Sequence, residues 1–302
     1  MAAGQAATGA GVATTPPGED WVHRPSAVEI DRRALRRRQS RRSTLTALVS
    51  TVVFAAVLYL VVTNSPGWER TQDTFFDVPY AIEVLPSIAE GMWLNIRVLA
   101  VAVLAVPALG LAIALLRTLR EAVFLPLRLL ATGYVDLFRG LPLLVVLYLI
   151  GFGVPSLRIE GLPTSAAVLG AIAVILTYSA YVSEVFRAGI ESVHPSQRLA
   201  ARSLGLSYSQ TMRRIVLPQA VRRVTPALLN DLVALQKDVG LISVLGAVDA
   251  IRKAQIEVSR TFDFTPYVVA GLLFVLLSVP TARLADWAAA RAARREQAGA
   301  VL

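Results

Sequence analysis

The chain contains no cysteine in 302 residues. That excludes a disulfide framework, a thiolate metal site and a cysteine nucleophile, and it leaves no redox mark of compartment. Charge is also scarce, at 17% of residues, where soluble domains carry about 25%. Only two histidines occur, His23 and His194. They are far apart and lack the carboxylate companions of a metal site, so no metal is expected. The two lysines, Lys237 and Lys253, do not follow the glycine loop of a G-x-x-x-x-G-K-[ST] nucleotide site. The chain is therefore read as a non-catalytic one, with no cofactor of its own and no means of hydrolysing ATP.

Apolar residues fill the space that charge leaves. The chain is 55% hydrophobic, with a mean hydropathy of +0.58, the composition of an integral membrane protein. Net charge is +9 and the pI is near 10.4. Most of the basic residues cluster between apolar stretches, as cytoplasmic loops do when they set membrane topology. Nucleic-acid binding is the rival explanation of such a pI.

Residues 1–31 are rich in Ala, Gly, Thr and Pro without apolar periodicity, a disordered composition. The arginine block 32–42 completes a basic cytoplasmic tail, 1–42. Segment 43–90 holds an extra span, at 45–62, and an outer linker. The span follows too long a charged stretch, and precedes no small-residue cleavage site, to be a signal peptide. The linker sets Glu69, Asp73, Asp77, Glu83 and Glu90 against Arg70 alone, which marks the outer side. Further spans are expected at 93–116, at 125–150 with an interruption at Gly140-Leu141-Pro142, and at 164–186, 225–248 and 267–287. Threaded alternately, these six put the N-terminal block, the 117–128 cluster, the 187–223 loop and the basic tail 288–302 on one side. The architecture is thus all-α and polytopic, with both termini cytoplasmic. The 249–264 loop reads as a short amphipathic helix at the outer surface.

Between the fourth and fifth spans lies a polar segment with strong local signals. Pro195 can open a helix, because its missing N–H would be unpaired there anyway. Leu199, Ala200, Ser203 and Leu204 give that helix a small apolar face. Gly205 suits the left-handed residue that ends it. Ser207 and Gln210 have capping-box spacing for a second helix, which Met212, Ile215 and Val216 continue until Pro218 stops it. Helix, glycine turn and helix is also the outline of a DNA-reading motif, with Arg213 and Arg214 placed for phosphates. The loop is about 35 residues between spans, too short for the three-helix core that motif needs. Docking at the membrane surface is favoured.

Ala200, Ala201, Gly205, Ile215, Leu217 and Pro218 resemble the "EAA" loop of binding-protein-dependent ABC importer permeases. Phe138-Arg139-Gly140-Leu141-Pro142-Leu143-Leu144, the 179–190 block and Leu217-Pro218-Gln219-Ala220 are similar to the polar amino-acid subfamily. The likeness covers 91–287 and leaves the first helix outside. It implies a type I ABC importer permease fold and a subunit that moves a polar amino acid across the cytoplasmic membrane. It also implies partners: ABC ATPase subunits that bind ATP-Mg, a second permease subunit, an extracytoplasmic solute-binding protein and membrane lipid, but no nucleic acid. The six matching residues are expected to couple to the ATPase. Leu199 stands where the family has glutamate, so this half of the contact is expected to be weaker or apolar.

Charges within spans mark a second candidate region. Each costs about 2.5–3.5 kcal/mol at a helix centre, which an apolar neighbour offsets by only about 0.3–0.6 kcal/mol. Asp231, Lys237 and Asp238 should therefore face a partner or the translocation path, or form an internal Lys–Asp pair that only ties helices together. Arg139, beside the helix break, and Glu184 are expected to border that path, since transporters place substrate at interrupted helices. Two other functions stay open at this point. An ion-coupled secondary transporter would use the 231–238 stripe, and a membrane-anchored helix-turn-helix regulator would read DNA with the 196–216 loop.

Overall fold

The structure is a computed structural model that describes residues 27–119 and 121–299. All regular elements among them are helical. The chain divides into two units, Met1–Trp68 and Glu69–Leu302.

The first unit contains α1 (Ala27–Thr63), a single 37-residue helix. Its apolar part, Arg42–Thr63, is 22 residues with no side chain buried. At 1.5 Å per residue it is about 33 Å long, matching a bilayer core of about 30 Å. The helix begins at Ala27 rather than at the apolar boundary, so 27–42, expected to be an irregular tail, is helical. Ala, Leu, Arg and Gln dominate there and are strong helix formers, and Glu29 in the first turn complements the positive end of the helix dipole. The expectation for 1–26 falls outside the described residues.

Helix α2 (Trp68–Phe75), which begins at the last residue of the first unit, lies in the acidic linker. The Phe75 ring stacks on Phe264 with centroids 5.2 Å apart. Helix α3 (Val78–Thr118) starts from the Asp77 cap, whose carboxylate accepts from Tyr80 N at 3.0 Å. Its 41 residues exceed one crossing. After a 3-10 turn come α4 (Leu125–Gly140) and α5 (Leu143–Ser156), bent by 109° where they meet. The cause is Pro142, which drives the preceding residue out of helical conformation. Leu141 is extended, at φ −99° and ψ 137°.

Helix α6 (Ala166–Glu191) is the centre of the bundle, packed on α3, α4 and α5 and on α9 (Leu217–Asp238). Helix α9 continues as a 3-10 stretch to Leu245. Four described helices are long and apolar enough to cross a membrane, and the bent α4–α5 pair makes five. The expected 225–248 span is not among them, because α9 carries Arg222, Arg223, Asp231, Lys237 and Asp238. It is instead packed between α6 and α11 (Thr265–Gly299). Helix α11 carries the chain past Trp287, so the tail from 288 is helical to Gly299. An amphipathic helix is present where one was expected, as α10 (Ala250–Thr261).

Helix α10 is held to α3 by a buried polar junction. Asn95 Nδ2 donates to Asp249 Oδ2 at 2.9 Å, and Asn95 Oδ1 accepts from Ala250 N at 3.2 Å. The other Asp249 oxygen caps α10 by accepting from Arg252 N at 2.9 Å. Gly91 makes this approach possible, since a Cβ there would lie 2.6 Å from the Asp249 carbonyl. Burial pushes the Asp249 carboxyl above its ordinary value of 3.8, with the Arg252 and Asn95 hydrogen bonds opposing the shift.

Asp249→Ala should lower stability by about 1–3 kcal/mol, because Asn95 loses its partner and α10 its cap. Asp249→Asn should keep the cap but set an N–H donor where Oδ2 accepts from Asn95, so its cost should lie between that of Asp249→Ala and none. The raised pKa means the native chain gains stability as pH falls through the folded value towards 3.8, since the folded state then binds the extra proton. Unfolding midpoints against pH in detergent should show that gain in the native chain and not in the Asn variant.

Candidate functional site

The polar segment after α6 folds as a helical elbow. Helix α7 (Pro195–Ser203) is capped by His194, whose Nδ1 accepts from Ser196 N at 3.2 Å. It ends at Gly205, with φ +80°. Gly205 N donates to Arg202 O at 2.9 Å and Leu206 N to Ala201 O at 3.1 Å, the paired bonds of a glycine C-terminal cap. Helix α8 (Tyr208–Thr211) opens with the expected capping box: Ser207 Oγ accepts from Gln210 N, and Gln210 Oε1 accepts from Ser207 N.

The exit from the elbow differs from expectation. A wide π turn, Met212–Val216, joins α8 to α9, and Leu217 N donates to Met212 O. Pro218 sits in the first turn of α9 and starts that helix instead of stopping the one before. It has no N–H to contribute, a loss the first turn tolerates.

The elbow sits on the end of the bundle through Ile190, Val193, Met212, Val216 and Ala220, all buried together. Ala201 is buried, Ile215 and Leu217 are half-buried, and Ala200, Gly205 and Pro218 lie at the surface. Leu199 and Leu204 are 64% and 81% exposed, so the position of the family glutamate presents an apolar side chain outward. Tyr208 Oη donates to Thr118 O, the end of α3, at 3.1 Å.

Just beneath the elbow, Glu184 gathers three guanidinium groups. Arg117 Nη1 is 2.7 Å from its Oε2, Arg187 donates to its Oε1, and Arg139 Nη1 stands 3.9 Å away. Arg187 also pairs with Glu191, and the Arg139 guanidinium lies 5.9 Å above the Tyr181 ring. Arg139 and Glu184, singled out by sequence as path-bordering residues, are thus brought together. Arg117 was legible only as a topology marker, because its partner is 67 positions away.

The third candidate group splits. Tyr178 Oη donates to Asp238 Oδ2 at 2.7 Å. Asp231 has a buried carboxylate oxygen with no hydrogen-bond partner, on the wall of a cavity of about 260 Å³. Val103, Val106, Pro107, Tyr178 and Leu232 form much of the rest of that wall. Lys237 is exposed and pairs with neither aspartate among the described residues. The internal Lys–Asp tie is therefore not formed. Six residues from Asp231 and one from Asp238, Lys237 points to another side of the helix. It shares an exposed face with Arg223, Ala227, Asn230 and Ala234.

Residues 122–294 match the family described as "Binding-protein-dependent transport system inner membrane component". The arginine transport system permease protein ArtQ of Bacillus subtilis is 32% identical over 202 residues, covering 67% of this chain and 90% of the relative. A putative glutamine transport system permease protein, GlnP of Rickettsia conorii, is 37% identical, covering 66% and 90%. Among solved structures, an amino acid ABC transporter with histidines superposes with a TM-score of 0.64 at 32% identity, covering 71% of this chain and 98% of that one. With its long apolar helices and its elbow, the chain belongs to the binding-protein-dependent transport system inner membrane components and is a multi-pass membrane protein.

Proposed function

We propose that the chain is the permease half of an ATP-driven importer that moves a polar amino acid across the cytoplasmic membrane. The observation that carries this reading is the elbow, two capped helices seated on the bundle end and fixed to α3, α6 and α9. Its outward surface, including Leu199 and Leu204, suits docking by a separate ATPase subunit that holds ATP-Mg. Ala200, Ala201, Gly205, Ile215, Leu217 and Pro218 are the coupling residues, either at that contact or setting its shape. The elbow end is then cytoplasmic, with both termini on that side; α9, shielded from lipid between α6 and α11, is the sixth crossing, and α10 lies at the outer face where a loaded solute-binding protein docks. The exposed α9 face with Asn230 and Lys237 is open to a second permease subunit.

The relatives are named for arginine and glutamine transport. Every such substrate carries an α-ammonium and an α-carboxylate. Asp231, unpartnered on the cavity wall, suits the cationic end. Arg139, 43% exposed and only loosely held by Glu184, suits the anionic end as substrate passes towards the elbow. Asp238, held by Tyr178, keeps that wall in place.

Gly205→Val should uncouple the complex, with ATP hydrolysis retained and uptake lowered at least roughly tenfold. The left-handed turn costs a residue with a Cβ about 1–2 kcal/mol, and no neighbouring atom stands in the way of the added carbon. Gly205→Asn should retain most uptake, since Asn tolerates this conformation. Uptake of labelled amino acid and phosphate release, measured together in proteoliposomes, separate these outcomes. Full transport by Gly205→Val would remove the elbow from the coupling step.

Arg139→Ala should abolish uptake while leaving assembly with the ATPase intact, as judged by copurification. Asp231→Asn should lower transport in the same assay with no change in complex yield. Normal uptake by either variant would take that residue out of the path.

A further inference from the structure

Between the elbow and the bundle end lies a second cavity, of about 190 Å³, that none of the coupling or transport roles above uses. Arg117, Arg128, Arg187 and Arg198 line it, together with Glu191 and Tyr208. The charges do not cancel. Arg117 and Arg187 share Glu184, and Arg187 also takes Glu191. Among the described residues, Arg128 donates only to the Leu119 carbonyl, at 3.0 Å, and Arg198 only to the Ile190 carbonyl. A carbonyl satisfies a donor but neutralises no charge. Four guanidinium groups against two carboxylates leave an excess of two positive charges around one small space. The Arg198 Nε is moreover buried without a partner, the kind of orphaned donor that structures rarely leave unfilled.

We infer that this cavity is an anion site for a phosphate group, held by Arg128 and Arg198 with Arg117 and Arg187 behind them. Guanidinium forks match phosphate oxygens in pairs, and Arg128 and Arg198 have donors left after their single carbonyl bonds. The occupant bridges α3, α4, α6 and α7, so its binding ties the elbow to the bundle. The shared chemistry is a phosphate ester or free phosphate. A basic pocket between helices at a bilayer edge suits an anionic lipid headgroup, and free phosphate has the same oxygens. The site does not depend on the transport reading, and its test needs no uptake assay.

The test follows hydrogen exchange of the α7 amides in the purified full chain, held in lipid nanodiscs. One arm adds inorganic phosphate, against chloride at equal ionic strength, to phosphatidylcholine nanodiscs. The other replaces a quarter of the phosphatidylcholine by phosphatidylglycerol. Protection of α7 by roughly tenfold is expected at ten times the dissociation constant. Protection in the first arm assigns free phosphate, and protection only in the second assigns the lipid headgroup. Arg128→Gln with Arg198→Gln should abolish the effect. Arg128→Gln alone, which gives up one carbonyl bond, should weaken it without disturbing the fold. Arg213→Gln with Arg214→Gln, which removes equal charge from the exposed elbow surface, should leave it intact. No protection of the native chain in either arm would overturn the site. So would protection that survives the Arg128/Arg198 pair, or that vanishes equally in the Arg213/Arg214 pair.

Discussion

One carboxylate, Glu184, organises the end of the bundle that carries the elbow. It draws Arg117 from α3 and Arg139 from α4 towards α6, and it shares Arg187 with Glu191 at the end of α6. Three cations around one carboxylate would repel one another without it, and in low dielectric that repulsion grows. The break at Gly140–Pro142 is part of the same arrangement. Only because α4 stops there can Arg139 sit at the edge of the node, 43% exposed and 3.9 Å from its partner, instead of inside a continuous span.

The other end is arranged differently, by shape first and charge second. Gly91 admits the Asp249 backbone against α3, and the Asn95–Asp249 pair then satisfies the polar groups that this approach buries. In lipid, neighbouring helices gain little from apolar contact alone, so small residues and buried hydrogen bonds set where they touch. The result is a bundle fastened by an ionic node near the elbow and a buried Asn–Asp junction near α10.

Local signals were the legible part of this fold. Gly205, the Ser207–Gln210 box and Pro195 act within one or two turns, and their roles follow from backbone chemistry alone. The apolar spans were equally plain, because a bilayer demands about 20 apolar residues in a row. Partners far apart in sequence were not legible: Asn95 and Asp249 are 154 positions apart, and no spacing rule connects them. Residue type alone misleads at Pro218, which starts a helix where a proline reads as ending one. Of the two readings open for Lys237, the ion pair fails because about one hundred degrees of rotation per residue separates its direction from those of the aspartates near it in sequence.

Pro218 has a mechanical consequence. A proline between an elbow and a span would ordinarily suggest a joint. In a regular helix, residues four apart are rotated by about 40°, and the wide turn at Met212–Val216 takes up part of that rotation. Met212, Val216, Ala220 and Val224, all buried, therefore form one rail along the bundle. The elbow's second half and α9 run on as one helical path from Tyr208 to Asp238. It presses on α6 at Gly189, whose absent side chain leaves room for Val224 and the Ala220 carbonyl.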